Sequence, residues 1–127
     1  MSFLLIEAGK NSPFVCFDFD GGTFKVGGRS VIEQPLEFYQ QLISSIGNYS
    51  SSAITEAHFT FEFEYFNTSS CKCIFNLMKE IKKLEDRKSV VINWYYDKDD
   101  EDMLEIGEDF EDILEMPFRM ISRDRLD

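Results

Sequence analysis

The chain has 127 residues, 43% of them hydrophobic, with thirteen Phe, five Tyr and one Trp, enough for one core without cross-links. Its net charge of −11 is lopsided: residues 97–115 hold eleven of the 24 acidic groups against Lys98 alone, a local net of −10. With no basic tract to follow a phosphate backbone, no apolar run of bilayer length, no cleavable signal segment and an odd three cysteines, composition excludes nucleic-acid binding and membrane insertion and points to a cytoplasmic protein with reduced thiols.

Residues 14–19 lead through Asp20-Gly21-Gly22 into the alternating residues 23–26, which predicts a β-hairpin with turn chemistry at Asp18 and Asp20. Gly27-Gly28-Arg29-Ser30 is expected to break the second strand. Pro35 then opens a helix in which Leu36, Phe38, Tyr39, Leu42, Ile43 and Ile46 recur at helical spacing until Gly47. A polar loop is expected over 48–52. Beyond it Ala57, Phe59, Phe61, Phe63 and Tyr65 alternate with His58, Thr60, Glu62 and Glu64, the pattern of a strand that buries rings on one face.

A second helix is expected over about 69–86, with an apolar stripe of Ile74, Leu77, Met78, Ile81 and Leu84. Residues 89–96 open Val-Val-Ile and read as an interior strand parallel to its predecessor. Residues 100–114 form an acidic amphipathic helix, and residues 118–122 an edge strand. The resulting order, β-β-α-β-α-β-α-β, predicts a single α/β domain over residues 1–127, with a mainly parallel sheet, an N-terminal antiparallel hairpin and three helices joined by right-handed crossovers. A few residues at each end need not be ordered.

Several chemistries fail on the residues available. His58 is the only histidine, which rules out a histidine-based metal cluster and reads as structural. Asp97 to Asp102 followed by Glu108 has carboxylates spaced as in a calcium loop, but Asp102 stands where such a loop needs glycine. Glu62 and Glu64 share an exposed strand face, a poor setting for paired-carboxylate catalysis. Cys16, Cys71 and Cys73 are expected as small core or boundary residues. No cofactor is called for.

The most informative stretch is 59–70, where an aromatic strand stops at Asn67-Thr68-Ser69-Ser70 and a helix begins. The first amides of a helix lack internal partners and sit at the positive end of its dipole. A hydroxyl there can cap the helix, and a phosphoryl group added to it would meet the same amides. In such sheets binding surfaces gather at the carboxyl ends of strands, and Asp97 closes the next strand, so Asp97 is expected near Thr68. Lys72, Lys79, Lys82, Lys83, Arg87 and Lys88 follow along the helix as a solvated face or a docking surface.

Tyr65-Phe66-Asn67-Thr68-Ser69-Ser70, the Lys-bearing helix after it and Trp94-Tyr95-Tyr96-Asp97 together resemble the SiaC family of bacterial regulatory phosphoproteins. Gly28-x-Ser30 and an acidic helix closing with Phe110 and Pro117-Phe118 extend the likeness along most of the chain. Tyr65-Phe66 stands where Tyr-Leu is expected, and Cys71 and Cys73 stand where aliphatic residues are usual. The resemblance implies a STAS-like fold, similar to antagonists of anti-sigma factors, and a non-enzymatic partner switch worked by a serine/threonine kinase and a PP2C-like phosphatase. It implies that the unphosphorylated form binds a partner, such as a diguanylate cyclase to be activated. Thr68 becomes the phosphoacceptor by resemblance alone, since residue chemistry leaves Thr68, Ser69 and Ser70 equivalent. Asn67, Ser69, Ser70, Lys72 and Asp97 become the surrounding partner surface. The alternatives are a constitutive interaction module in which the junction only caps a helix, and a small acidic metal-dependent enzyme.

Overall fold

Side-chain alternation and three strand–helix–strand steps generate the architecture. In the computed structural model, which describes residues 2–49 and 53–124, the strands are β1 (Phe3–Ile6), β2 (Phe14–Asp18), β3 (Thr23–Ser30), β4 (Glu56–Phe66), β5 (Ser89–Asp97) and β6 (Phe118–Arg123). Helices α1 (Pro35–Gly47), α2 (Thr68–Lys82) and α3 (Glu101–Leu114) connect the last four strands, with a short 3-10 turn at Lys83–Asp86. Residues 50–52 of the expected polar loop, and the extreme termini at 1 and 125–127, lie outside the described residues.

The six strands lie in sequence order, with β1/β2 and β2/β3 antiparallel and the last three pairs parallel. Three crossovers stepping the same way place all three helices on one face. Phe24, Val26, Phe59, Phe61, Ile92 and Trp94 from the sheet are buried there with Tyr39, Leu42 and Ile46 of α1 and Ile74, Leu77, Met78 and Ile81 of α2. The opposite face is open and, over β3 to β6, mostly polar. On it Glu62 lies between Lys25 at 3.6 Å and Arg123 at 3.4 Å, and His58 bonds Glu56 Oε1 at 2.6 Å. Such exposed pairs contribute little to stability.

The expected α/β domain is present, with one strand more than expected. β1 reads Phe-Leu-Leu-Ile and has no polar alternation to announce it. The glycines at 27 and 28 do not end β3 as expected. The strand continues to Ser30 through a register shift between Gly28 and Arg29, absorbed by Gly28 at φ +97°. That extension carries Ser30 beneath the start of α2. Cys16 is exposed, against the expectation of a core or boundary position, while Cys71 is half-buried and Cys73 buried.

Trp94 fixes α3. Its ring is 1% exposed and contacts those of Phe61, Phe66, Phe110 and Phe118, and its indole N–H donates to Met103 O at 3.0 Å. Gly107 permits this approach, because a Cβ there would lie 2.6 Å from the indole.

Candidate functional site

β4 ends at Phe66, whose ring is anchored against Phe63 and Trp94, so the chain leaves the sheet at Asn67 in a fixed direction. Asn67 is extended, and its Oδ1 accepts from Ser70 N at 2.9 Å, a side-chain cap of the first turn of α2. The Ser69 hydroxyl lies 3.4 Å from the same oxygen, and Asn67 N donates to Ser30 O at 3.1 Å. The junction is thus tied to both its own helix and β3.

The three hydroxyls that local chemistry could not separate differ in position. Thr68, the first residue of α2, and Ser69 are exposed; Ser70 is fully buried. Ser70 Oγ accepts from Ser30 Oγ at 2.9 Å, and Ser30 Oγ lies 2.7 Å from the Tyr39 hydroxyl. A serine has one proton to give, so Tyr39 donates to Ser30 and Ser30 to Ser70. Burial pushes the Tyr39 phenol far above its ordinary value, and the chain stays neutral at physiological pH. Ser70, expected on the partner surface, belongs instead to this interior support, where neither a kinase nor a partner can reach its hydroxyl.

Ser30 and Tyr39 were not expected at the site. The available signal was a tyrosine in the core stripe of α1, because a buried phenol needs a hydrogen-bond partner. Its partners are remote in sequence and become visible only once β3 and β4 pair.

The β4/β5 ladder runs from Glu56↔Ser89 to Phe61↔Trp94 and stops there, short of Asp97, while β4 continues alone to Phe66; on its other side Asp97 pairs with Arg123 of β6. Carboxylates of α3 and of its cap also come to the end of β4. Asp100, Asp102, Glu105 and Asp109 line a cleft of about 590 Å³ with Tyr65 and Phe66. A second, more apolar groove of about 430 Å³ lies between α2 and α3, lined by Cys71, Lys72, Phe75, Asn76, Phe110 and Ile113.

The basic residues of α2 do not form one docking face. Lys82 and Lys83 pair with Glu85 and Glu80, Arg87 donates to Tyr49 O, and the largely buried Lys88 donates to Ile54 O. Lys79 lies over the Phe75 ring, and Lys72 is exposed at the rim of the apolar groove, one turn from Thr68. The first turn of α2 contains no acidic residue, whereas that of α3 contains Glu101 and Asp102 after the capping Asp100.

Among the described residues no cluster of three or more His, Cys, Asp or Glu is arranged to hold a metal, and no helix is long and apolar enough to cross a membrane.

A family model described as SiaC family regulatory phosphoprotein matches residues 6–123. An uncharacterized protein of Pseudomonas aeruginosa strain UCBPP-PA14 is 24% identical over 125 residues, spanning 98% of this chain and 99% of its own. SiaC of Pseudomonas aeruginosa superposes with a TM-score of 0.85 at 22% identity, covering 97% of this chain and 100% of that one. A crystal structure of the diguanylate cyclase SiaD in complex with its activator SiaC, from the same organism, also matches with a TM-score of 0.85 at 22% identity, over 94% of this chain and 99% of that one. At that identity the structural likeness is one of fold.

Proposed function

This chain belongs to the SiaC family of regulatory phosphoproteins, and from that premise we propose that it is a phosphorylation-switched adaptor with Thr68 as the phosphoacceptor. The observation that carries the proposal is an exposed hydroxyl on the first residue of a helix whose opening turn is free of acidic side chains and is held from below by Ser70, Ser30 and Tyr39. A kinase can reach Thr68. The partner-facing surface comprises Asn67, Ser69 and Lys72 around it, with Asp97 at the end of β5.

The unphosphorylated form binds and activates a diguanylate cyclase, the activity that the matching SiaC carries in its complex with SiaD. A serine/threonine kinase adds the phosphate and a PP2C-like phosphatase removes it. A phosphoryl group brings roughly −1.5 to −2 charges and three acceptors. The amides at the start of α2 favour it, while the α3 carboxylates across the neighbouring cleft oppose it, a balance suited to reversible modification. Placed inside an interface, the same charge must be desolvated, and the partner leaves.

The test has two arms. Site-resolved mass spectrometry of the protein from its own cells, with and without phosphatase inhibition, is expected to find phosphate on Thr68. Titration against a diguanylate cyclase of the same organism is expected to give binding and activation with the native chain and Thr68→Ala, and at least about tenfold weaker binding with Thr68→Glu. Unmodified Thr68 with equal binding by all three forms would instead make the junction a helix cap in a constitutive interaction module.

A further inference from the structure

The two edges of the sheet are finished differently. β6 carries Arg119 and Arg123 along its length, and the Phe118 N–H at its start donates to Glu111 Oε2 at 2.7 Å. Charges and covered main-chain groups are the usual means of keeping an edge strand from pairing with another chain. β1 has neither charge, proline nor bulge.

Its free side can be read from the ladder. Phe19 N donates to Ser2 O at 3.1 Å, which makes Ser2 and Phe19 a bonded pair. Antiparallel alternation then assigns Leu4 and Ile6 to β2 and turns the main-chain groups of Phe3 and Leu5 outward. The side chains of those two residues are 50% and 65% exposed and lie together on the open face of the sheet, Leu5 beside the exposed Cys16. A backbone edge with no neighbouring strand among the described residues and an apolar row therefore coincide on one strand.

Charge decides the occupant. The acidic excess resides on the end of β5, on α3 and on the loop between them, at the opposite end of the strand order from β1. Five strand spacings separate the edges, roughly 24 Å, against a screening length of about 8 Å at physiological salt. A second copy approaching near α3 meets that concentrated like charge, whereas β1 itself carries none and has only the scattered carboxylates of Glu7, Asp18 and Asp20 beside it.

We propose that β1 is a self-association edge, where a second copy of this chain adds its own β1 antiparallel across a two-fold axis at Leu4. Phe3 then faces Leu5 of the second copy and Leu5 faces Phe3 of the second copy. Their outward amides and carbonyls pair, four apolar side chains close over the open face, and two six-stranded sheets become one. Because β1 has only 4 residues, the dimer is weak and forms with concentration. All helices stay on one face of the joined sheet, with the Thr68 loops and acidic helices of both copies unobstructed.

Sedimentation velocity across the micromolar range tests this on the purified full chain. The expected result is a shift from monomer to dimer with rising concentration, abolished by Leu5→Lys and retained by Ile113→Lys, which alters an equally exposed side chain on α3. Amide hydrogen exchange on the native protein should slow at Phe3 and Leu5 only where the dimer forms, a readout independent of whether the variants fold. A chain that stays monomeric throughout, a dimer that survives Leu5→Lys, or one abolished by Ile113→Lys would overturn the proposal. None of these outcomes depends on Thr68 or on a cyclase.

Discussion

Two helices begin at the carboxyl ends of adjacent parallel strands, α2 after β4 and α3 after β5, and they are filled in opposite ways. α3 opens with a carboxylate cap, Asp100, whose Oδ1 accepts from Met103 N at 3.0 Å, and adds Glu101 and Asp102 in its first turn. Its dipole is already answered by negative charge. α2 opens with a neutral cap, Asn67, and an acid-free first turn that exposes Thr68 and Ser69. The one start is complete as synthesised; the other has its side-chain cap bond made but sets no charge against its dipole. A modification that adds negative charge therefore has one natural address in this fold.

The two starts are also supported differently, and the largest expected effect breaks the α3 side. Trp94→Ala removes the ring on which α3 rests and the N–H that meets Met103 O, and should cost about 3–5 kcal/mol in urea unfolding. A loss below about 1 kcal/mol would mean that α3 is held by other contacts. Next in size is the buried support of α2. Ser70→Ala leaves the Ser30 hydroxyl without its acceptor and should cost about 1–3 kcal/mol. Combined with Tyr39→Phe the loss should fall short of the sum of the single changes, since both act on one hydrogen-bonded chain. Strict additivity would show that the three hydroxyls are not energetically linked.

The two caps give a smaller and finer contrast. Asn67→Ala and Asp100→Ala should each cost about 1 kcal/mol. They should separate when salt is raised: the Asp100 loss shrinks because part of it is charge against the dipole, and the Asn67 loss holds. Equal salt dependence would erase the distinction between a charged start and a neutral one.

The same contrast explains how much the sequence revealed. Elements with a strong period were legible: the alternation from Ala57 to Phe63, the stripe of α2, and Pro35 at the head of α1 all reappear in place, whereas Tyr65, expected on the buried face, is exposed and Phe66 is buried instead. A side-chain cap at the junction was legible too, but it was expected from a hydroxyl, and Asn67 makes it instead, acting on its own helix three residues on. What escaped depends on neighbours brought from afar. Ser70 looks like Ser69 in the string, and only the extension of β3 past Gly28, with Tyr39 arriving from α1, makes it interior. The pairing expected to carry Asp97 to the junction does not reach it, because the β4/β5 ladder stops at Phe61↔Trp94 while β4 runs on to Phe66, and strand lengths are not visible in a motif. β1 went unseen for the opposite reason, four apolar residues giving no period at all.

The smallest expected effect is the most discriminating, because stability and binding should move in opposite directions. Thr68→Asp puts a carboxylate into the first turn of α2, where no acid stands, and should stabilise the free protein by about 0.3–1 kcal/mol at low salt, fading as salt is raised. The mirror change, Asp102→Asn in the first turn of α3, should destabilise by a similar amount. A helix start that serves only as a cap predicts the stability gain and no change in affinity for a diguanylate cyclase. A switch predicts the same gain together with lost affinity, since the charge that the free helix welcomes is one the interface must desolvate. Thermal unfolding at two ionic strengths, run beside the binding titration on the same preparation, separates the two. A Thr68→Asp protein less stable than the native chain at low salt would show that the α3 carboxylates dominate the field at the junction, and that α2 is not the vacant start this comparison takes it to be.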